Sequence, residues 1–373
     1  MMSSLHCARC GREYEDDGRR LRCDCGGTLD LLFEPSFKPN MLVGRSHDLW
    51  RYREALPVGD DVVTMGEGWT PLLPVTFDGR QLLVKQEQLF PTGSYKDRGA
   101  AVLMTHLREL GVERVVEDSS GNAGCAVAAY AARVGIACDI YVPEDTSPAK
   151  TAQIEAYGAT LHRVSGTRED TARAALEASA TCVYASHVYG PWFLQGTKTF
   201  AYEVAEQLGW TTPDTLVVPA GNGTLLLGAY LGFSELARAG TVSHVPRIVA
   251  VQAAACAPLA EAFAMGLDEP IEIHASHTAA EGIAIATPAR GAQVLAAVRA
   301  TGGSFVTVSE QEIVTNLKDC CRGGWFIEPT SAAVIAGARR YAHTAAPDET
   351  IVTAFTGHGL KAAARIAEML GKC

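Results

Sequence analysis

From about residue 113 onward, short apolar runs alternate with longer stretches in which apolar residues return every three or four positions. The runs Arg114-Val115-Val116-Glu117, 137–143, 159–164 and 182–186 have the length and content of buried strands. Between them, the alanine-rich stretch Ala123 to Ala132, a segment that Ser147 could cap with Pro148 in its first turn, and 167–180 read as helices. The same alternation continues with helix 195–208, strand 215–219, helix 224–239, strand 247–253, helices 257–265 and 289–300, and strand 304–308. Helices 310–321 and 330–342, strand 350–355 and a final helix from about 359 complete it. Strands separated by helices predict parallel sheets covered on both faces. Upstream, Leu82-Leu83-Val84-Lys85 reads as one more strand, and residues 36–64, poorly periodic, read as an arm.

Composition narrows the partners. The 373 residues suggest two domains, and a net charge of −10 without any basic run argues against a nucleic-acid partner. No apolar stretch reaches the roughly 18 residues of a membrane span and the N-terminus has no signal core, so no membrane association and a cytoplasmic location are expected. Of the eleven cysteines, Cys7, Cys10, Cys23 and Cys25 cluster as Cys-x-x-Cys and Cys-x-Cys. In a reducing compartment such a cluster reads as a zinc knuckle and not as disulfides; the alternative is a small ribbon that packs without metal. Acidic and basic side chains balance around it, which favours a structural cap.

Three stretches carry candidate chemistry. In Pro91-Thr92-Gly93-Ser94-Tyr95-Lys96-Asp97-Arg98-Gly99, a lysine follows a Pro/Gly turn and opens a helix, a way to hold an amine at a pocket edge. Lys96 is the candidate for an amine that forms a Schiff base, with Lys85 as rival; a strand position beside Glu87 predicts an exposed ion pair for Lys85. Ser119-Ser120-Gly121-Asn122-Ala123-Gly124 and Pro219-Ala220-Gly221-Asn222-Gly223-Thr224 each join a strand to a helix through glycine, and each offers backbone N–H groups to an anion. A lysine, an amide-bearing turn and a glycine phosphate loop are the parts that pyridoxal phosphate requires. A nicotinamide site is a weaker reading, because Gly221-Asn222-Gly223 lacks the third glycine of the dinucleotide spacing.

With Gly66-Glu67-Gly68-Trp69-Thr70-Pro71, Gly196-Thr197-Lys198-Thr199, Glu281-Gly282-Ile283, Glu328-Pro329-Thr330-Ser331-Ala332-Ala333 and Thr356-Gly357-His358-Gly359-Leu360-Lys361, these motifs make the chain resemble fold-type-II pyridoxal-phosphate enzymes, those of the tryptophan-synthase-β fold, and among them the threonine synthase family. The resemblance implies an α/β architecture of two open, mostly parallel domains with a zinc-ribbon-like segment at the N-terminus. It implies a ribbon over 1–35, a large cofactor domain from 36–92 and 196–373, and a small mobile domain over 93–195, with the cofactor in the cleft between them. Lys96 would carry the Schiff base and move protons, and Asn122 would meet the phenolic oxygen of the ring. The N–H groups of Gly221, Asn222, Gly223 and Thr224 would take the phosphate, Thr356 would face the pyridine nitrogen with a neutral hydroxyl, and Gly282 would line the ring. Ser119, Ser120, Gly121, Asn122 and Ala123 would hold the substrate carboxylate.

The implied reaction is that of a lyase turning O-phospho-L-homoserine and water into L-threonine and phosphate. The alternative is a related enzyme acting at the β-carbon, a cysteine- or cysteate-type replacement synthase or a serine/threonine dehydratase. Either way the partner is a small amino acid carrying phosphate or another activating group, and a homodimer is the family's usual assembly. Phe193 stands where the family resemblance leads one to expect an arginine for the leaving phosphate.

Overall fold

The computed structural model describes residues 4–371, and the chain divides into two compact units, Met1–Gly68 with Lys96–Thr197 and Trp69–Tyr95 with Lys198–Cys373. In chain order the elements begin with β1 (Ser4–Cys7), β2 (Glu13–Glu15) and β3 (Leu29–Leu32), then β4 (Leu72–Phe77) and β5 (Arg80–Lys85). Next come α1 (Lys96–Glu109), β6 (Arg114–Glu117), α2 (Asn122–Val134), β7 (Ala137–Pro143), α3 (Pro148–Ala156), β8 (Thr160–Val164), α4 (Arg168–Ala178), β9 (Val183–Tyr184) and α5 (Pro191–Thr197). The remainder runs α6 (Thr199–Gln207), β10 (Thr215–Pro219), α7 (Thr224–Arg238), β11 (Arg247–Ala253), α8 (Pro258–Ala264), α9 (Gly291–Ala300), β12 (Ser304–Val308), α10 (Glu310–Arg322), α11 (Pro329–Ala342), β13 (Ile351–Ala354) and α12 (Ala363–Met369).

The first unit is built on a parallel sheet in the order β8-β7-β6-β9. Its apolar strand residues, among them Val115, Val116, Ile140 and Val142, are buried, as the continuous apolar runs require. A small antiparallel sheet, β2-β1-β3, forms the N-terminal ribbon, and its Leu5, Leu29 and Leu31 share one core with Ala100 to Met104 of α1.

The arm after the ribbon, expected with the large domain, lies with the first unit. Its backbone is tied there: Gly59 N–H donates to Glu109 at 2.7 Å and Val63 N–H to the Thr105 hydroxyl at 3.0 Å. The Glu67 carboxylate gathers Trp50 Nε1 at 2.8 Å, Tyr130 OH at 3.0 Å and Met65 N–H at 2.7 Å. Burial pushes this carboxyl up even so. Gly68, at φ 103°, passes so near the chain that a Cβ would lie 2.3 Å from Leu49 N. Within the Gly-Glu-Gly motif only Glu67 is buried, and side chains larger than hydrogen do not fit at 68.

The second unit holds a six-stranded sheet, β12-β11-β10-β13-β5-β4, parallel except for the β4–β5 pair. β4 escapes the sequence pattern because it is an edge strand, half exposed and carrying Pro74, where a missing N–H is tolerated. The single helix expected over 195–208 is two, α5 and α6, parted at Lys198. Lys198 Nζ donates to Glu235 at 2.8 Å, and a Cβ on Gly232 would lie 2.5 Å from the Lys198 carbonyl oxygen. Lys85, expected to be exposed, is not. It is fully buried, donating to Glu203 at 2.8 Å and Gln207 at 2.9 Å. Among the described residues, no helix is long and apolar enough to cross a membrane.

Candidate active site

Lys96 is the first residue of α1, and the loop before it is pinned from both sides of Tyr95. Gly93, at φ 84°, makes the turn; its carbonyl accepts from His358 N–H at 2.9 Å, and Tyr95 N–H donates to the Thr356 carbonyl at 3.2 Å. The Tyr95 hydroxyl lies 2.9 Å from Thr224 Oγ1. One tyrosine, adjacent in sequence to the candidate amine, therefore ties the strand end carrying Thr356 to the start of α7. Lys96 itself is half-buried, with Nζ 5.7 Å from the centre of the Phe193 ring.

The turn at 221–224 has the build of an anion cradle. It leaves β10 and enters the fifteen-residue α7, whose first N–H groups have no partners within the helix. Gly223 sits at φ 83° and a Cβ there would lie 2.2 Å from a Val294 methyl; one on Gly221 would lie 3.0 Å from the Gly282 carbonyl oxygen. A side chain at 223 would meet Val294 and one at 221 would press on the Gly282 backbone, so glycine lets the turn lie close to its neighbours. Gly282 in turn donates its N–H to Thr330 Oγ1 at 3.1 Å. Thr356, just beyond β13, is buried beside Ser331 and Glu328.

In the first unit, Ser119, Ser120 and Gly121 turn from β6 into α2, which opens at Asn122 and Ala123 and packs along α1. Gly121 N–H donates to Ser119 Oγ at 3.2 Å, and a Cβ on Gly124 would lie 1.8 Å from the Ser119 carbonyl oxygen. The N-terminal turn of α2 again presents backbone donors suited to a carboxylate. The turn at 119–123 belongs to the first unit, and the 221–224 loop and Thr356 to the second.

Two groups near Lys96 carry strong electrostatics. His187 Nδ1 lies 2.6 Å from Glu117 Oε1 at the end of β6. Burial, then the positive charges of Lys96 and Arg168, hold His187 well below its ordinary range, and burial, then Asp118, pushes Glu117 well above the carboxylate range. Phe193 stands edge-on to His187 with ring centres 6.1 Å apart. No sequence motif signals the His187–Glu117 pair, because its members are seventy residues apart. Tyr95, visible in the sequence only as an aromatic beside Lys96, is the other contribution that folding discloses.

The ribbon cysteines converge. Cys7, Cys10, Cys23 and Cys25 place their sulfurs within 4.8 Å of one another, with Cys7–Cys25 and Cys10–Cys23 each at 3.5 Å. A tetrahedral zinc with Zn–S bonds of about 2.3 Å spaces its sulfurs by roughly 3.8 Å, so the donor set and its size fit that ion. Arg9 N–H donates to Cys7 Sγ at 3.4 Å, and a Cβ on Gly27 would lie 2.8 Å from the same sulfur.

The family model for pyridoxal-phosphate dependent enzymes matches residues 63–357, a span that runs from Glu67 through Lys96 and the glycine loop to Thr356. The chain belongs to the pyridoxal-phosphate-dependent enzymes. Within that family it is similar to the threonine synthase of Methanocaldococcus jannaschii, 36% identical with 95% of this chain and 92% of the relative covered. The threonine synthase of Methanosarcina acetivorans is 34% identical over 96% of this chain and 92% of the relative, and that of Mycobacterium bovis 36% over 83% and 87%. Over nearly its whole length this pyridoxal-phosphate enzyme is threonine synthase-like. Its fold matches a processed threonine deaminase isoform from Solanum lycopersicum with a TM-score of 0.70 and 23% identity, covering 90% of this chain and 94% of that one. Maize serine racemase gives a TM-score of 0.69 at 23% identity, over 81% and 92%. At such identity these two likenesses speak for the fold alone, the fold-type-II arrangement of open parallel sheets.

Proposed function

We propose that this lyase converts O-phospho-L-homoserine and water into L-threonine and phosphate. The observation that carries the reading is the Tyr95 tie: the residue next to Lys96 binds both the Thr356 strand end and Thr224 of the glycine cradle. When bound, pyridoxal phosphate supplies an aldehyde for attachment to a lysine and a conjugated ring that accepts the electron pair left when a carbon loses its proton. Lys96 would be the residue of attachment, and its amine the base that takes the α-proton and a β-proton and returns protons to Cα and Cγ. Gly221, Asn222, Gly223 and Thr224 hold the phosphate of the cofactor, Asn122 its phenolic oxygen and Thr356 its ring nitrogen. Ser119, Ser120, Gly121 and Ala123, with Asn122, hold the substrate carboxylate through backbone N–H groups and the Ser120 hydroxyl. A proton would leave Cβ before phosphate departs with the pair of the Cγ–O bond, and water would then give its oxygen to Cβ while protons return to Cα and Cγ. Cys7, Cys10, Cys23 and Cys25 hold a structural zinc, as thiolates do in a reducing cytoplasm.

One observation favours a second reading. Phe193 and the His187–Glu117 pair put an aromatic ring and a carboxyl near Lys96, where a dianionic leaving group would gain from a cation. The alternative is chemistry at the β-carbon, replacement or dehydration. The protein reconstituted with cofactor and reduced by borohydride should carry the label on Lys96 in peptide mass spectra, and Lys96→Ala should lose both label and at least about a thousandfold in turnover. Phosphate and threonine released from phosphohomoserine support the main reading. Oxo acid released from threonine or serine, with phosphohomoserine inert, replaces it by the alternative, and a Lys96→Ala protein of unchanged turnover rejects both.

A further inference from the structure

A dianion that leaves from a substrate is stabilised by positive charge, and Phe193 brings none. Lys96 and Arg168 both bring positive charge to the His187–Glu117 pair. Lys96 is reserved for the cofactor, which leaves Arg168.

Arg168 opens α4, and the turn around it fixes its backbone. Thr167 Oγ1 accepts from Asp170 N–H at 3.2 Å, and the Asp170 carboxylate accepts from Thr167 N–H at 2.7 Å. The side chain runs to Asp118, with Nη2 2.7 Å from Oδ2. Asp118 follows β6 directly, between Glu117 of the buried pair and Ser119 of the turn read as the carboxylate site. β9, the parallel neighbour of β6, ends at Tyr184, three residues before His187. Arg168 is thus anchored at the carboxyl ends of two adjacent parallel strands, where open α/β sheets take their ligands.

The anchor leaves the guanidinium fit to bind. Its fork has five N–H donors, the pair with Asp118 is made at one nitrogen, and half of the arginine side chain is exposed while Asp118 is buried. His187 spends Nδ1 on Glu117, and its other ring nitrogen is a second polar edge. Glu117, driven toward its neutral form by burial, adds little repulsion for an anion.

We infer that Arg168, held by Asp118 beside His187, receives the phosphate of the substrate and so sets specificity for a phosphorylated amino acid. The inference rests on the reading that the substrate is a phosphate ester. The cation that α5 lacks at 193 is then supplied by α4 at 168. An arginine suits the task because its planar fork meets two phosphate oxygens at once, which a lysine cannot do.

The test uses the full-length protein loaded with cofactor, in wild type, Arg168→Ala and Arg168→Lys, with Arg168→Gln in place of alanine should that variant fail to fold. Inorganic phosphate is titrated by its ³¹P line width, phosphohomoserine by turnover, and L-threonine, which carries no phosphate, by its effect on the absorbance of the cofactor. Arg168→Ala should raise the Kd of phosphate and the KM of phosphohomoserine by about 10- to 100-fold and leave the threonine titration unchanged, with lysine in between. Phosphate and phosphohomoserine values unchanged in Arg168→Ala overturn the inference while the reading of the reaction stands. An equal loss for threonine overturns it too, because Arg168 then serves the structure alone. A wild type inert to phosphohomoserine rejects the reading of the reaction, and the phosphate titration then decides: binding lost in Arg168→Ala keeps the subsite for another phosphorylated amino acid, and no binding in wild type overturns it.

Discussion

Asp16, in the loop after β2, shows how one side chain can dock a small module. Its carboxylate accepts from Trp192 Nε1 at 2.7 Å and from Gly18 N–H at 3.0 Å, and lies 3.1 Å from His106 Nε2. The His106 ring stacks on Trp192 with centres 3.5 Å apart. Burial opposes the charge on Asp16, but His106 first, then Gly18 and Trp192, outweigh it and hold the carboxyl below its usual 3.8. A carboxyl depressed in the fold contributes stability that is full above its unfolded value and is lost as pH falls through the folded one. Asp16→Asn should therefore lower stability at neutral pH by about 1–3 kcal/mol. Urea midpoints should show the gap from wild type closing as pH falls below 3.8. At this scale the sequence was informative where the backbone forces a residue type, as with glycine at 223, where φ is 83° and a Cβ would lie 2.2 Å from a Val294 methyl. It was silent on what Asp16 and His187 bind, because their partners lie far along the chain.

Among the elements, α1 and α5 approach closely because each supplies a glycine to the other. A Cβ on Gly196 would lie 2.0 Å from the Arg98 carbonyl oxygen, and one on Gly99 would lie 2.2 Å from the Phe193 ring. Phe193 is completely buried in that contact, which accounts for an aromatic where the family resemblance calls for arginine. Phe193→Ala should cost about 3–5 kcal/mol in denaturant unfolding. Phe193→Arg should be worse, since a longer, charged side chain would have to enter a fully buried helix contact, and should bring no gain in phosphohomoserine turnover. Alternating apolar runs made nearly all the parallel strands and their helices readable, with β6, β7, β10 and β11 at their expected bounds. The misses have physical causes. β4 is half exposed with a proline, α5 and α6 part at a lysine drawn to Glu235, and Lys85 is buried because α6 brings Glu203 to it.

For the whole molecule, the ribbon and the first unit form one hydrophobic core, from Leu5 and Leu29 to Met104 and Phe193. The protein purified in reducing buffer should contain one zinc per chain by atomic emission. Removing it with a strong chelator, or replacing Cys25 by serine, should lower the melting temperature and release the amides of β1–β3 to exchange with deuterium, while those of β10 and β11 stay protected. Zinc absent from both the wild type and Cys25→Ser would leave the cluster as a packing motif. The docking through Asp16 carries this further. His106 and Lys96 lie on the same helix, ten residues or about 15 Å apart along its axis. If the ribbon holds zinc and Lys96 carries the Schiff base as proposed, a ribbon that slackens for want of the ion would loosen its grip on one end of a stiff rod whose other end bears that amine, and metal supply would be felt as altered reactivity at a place no sulfur touches.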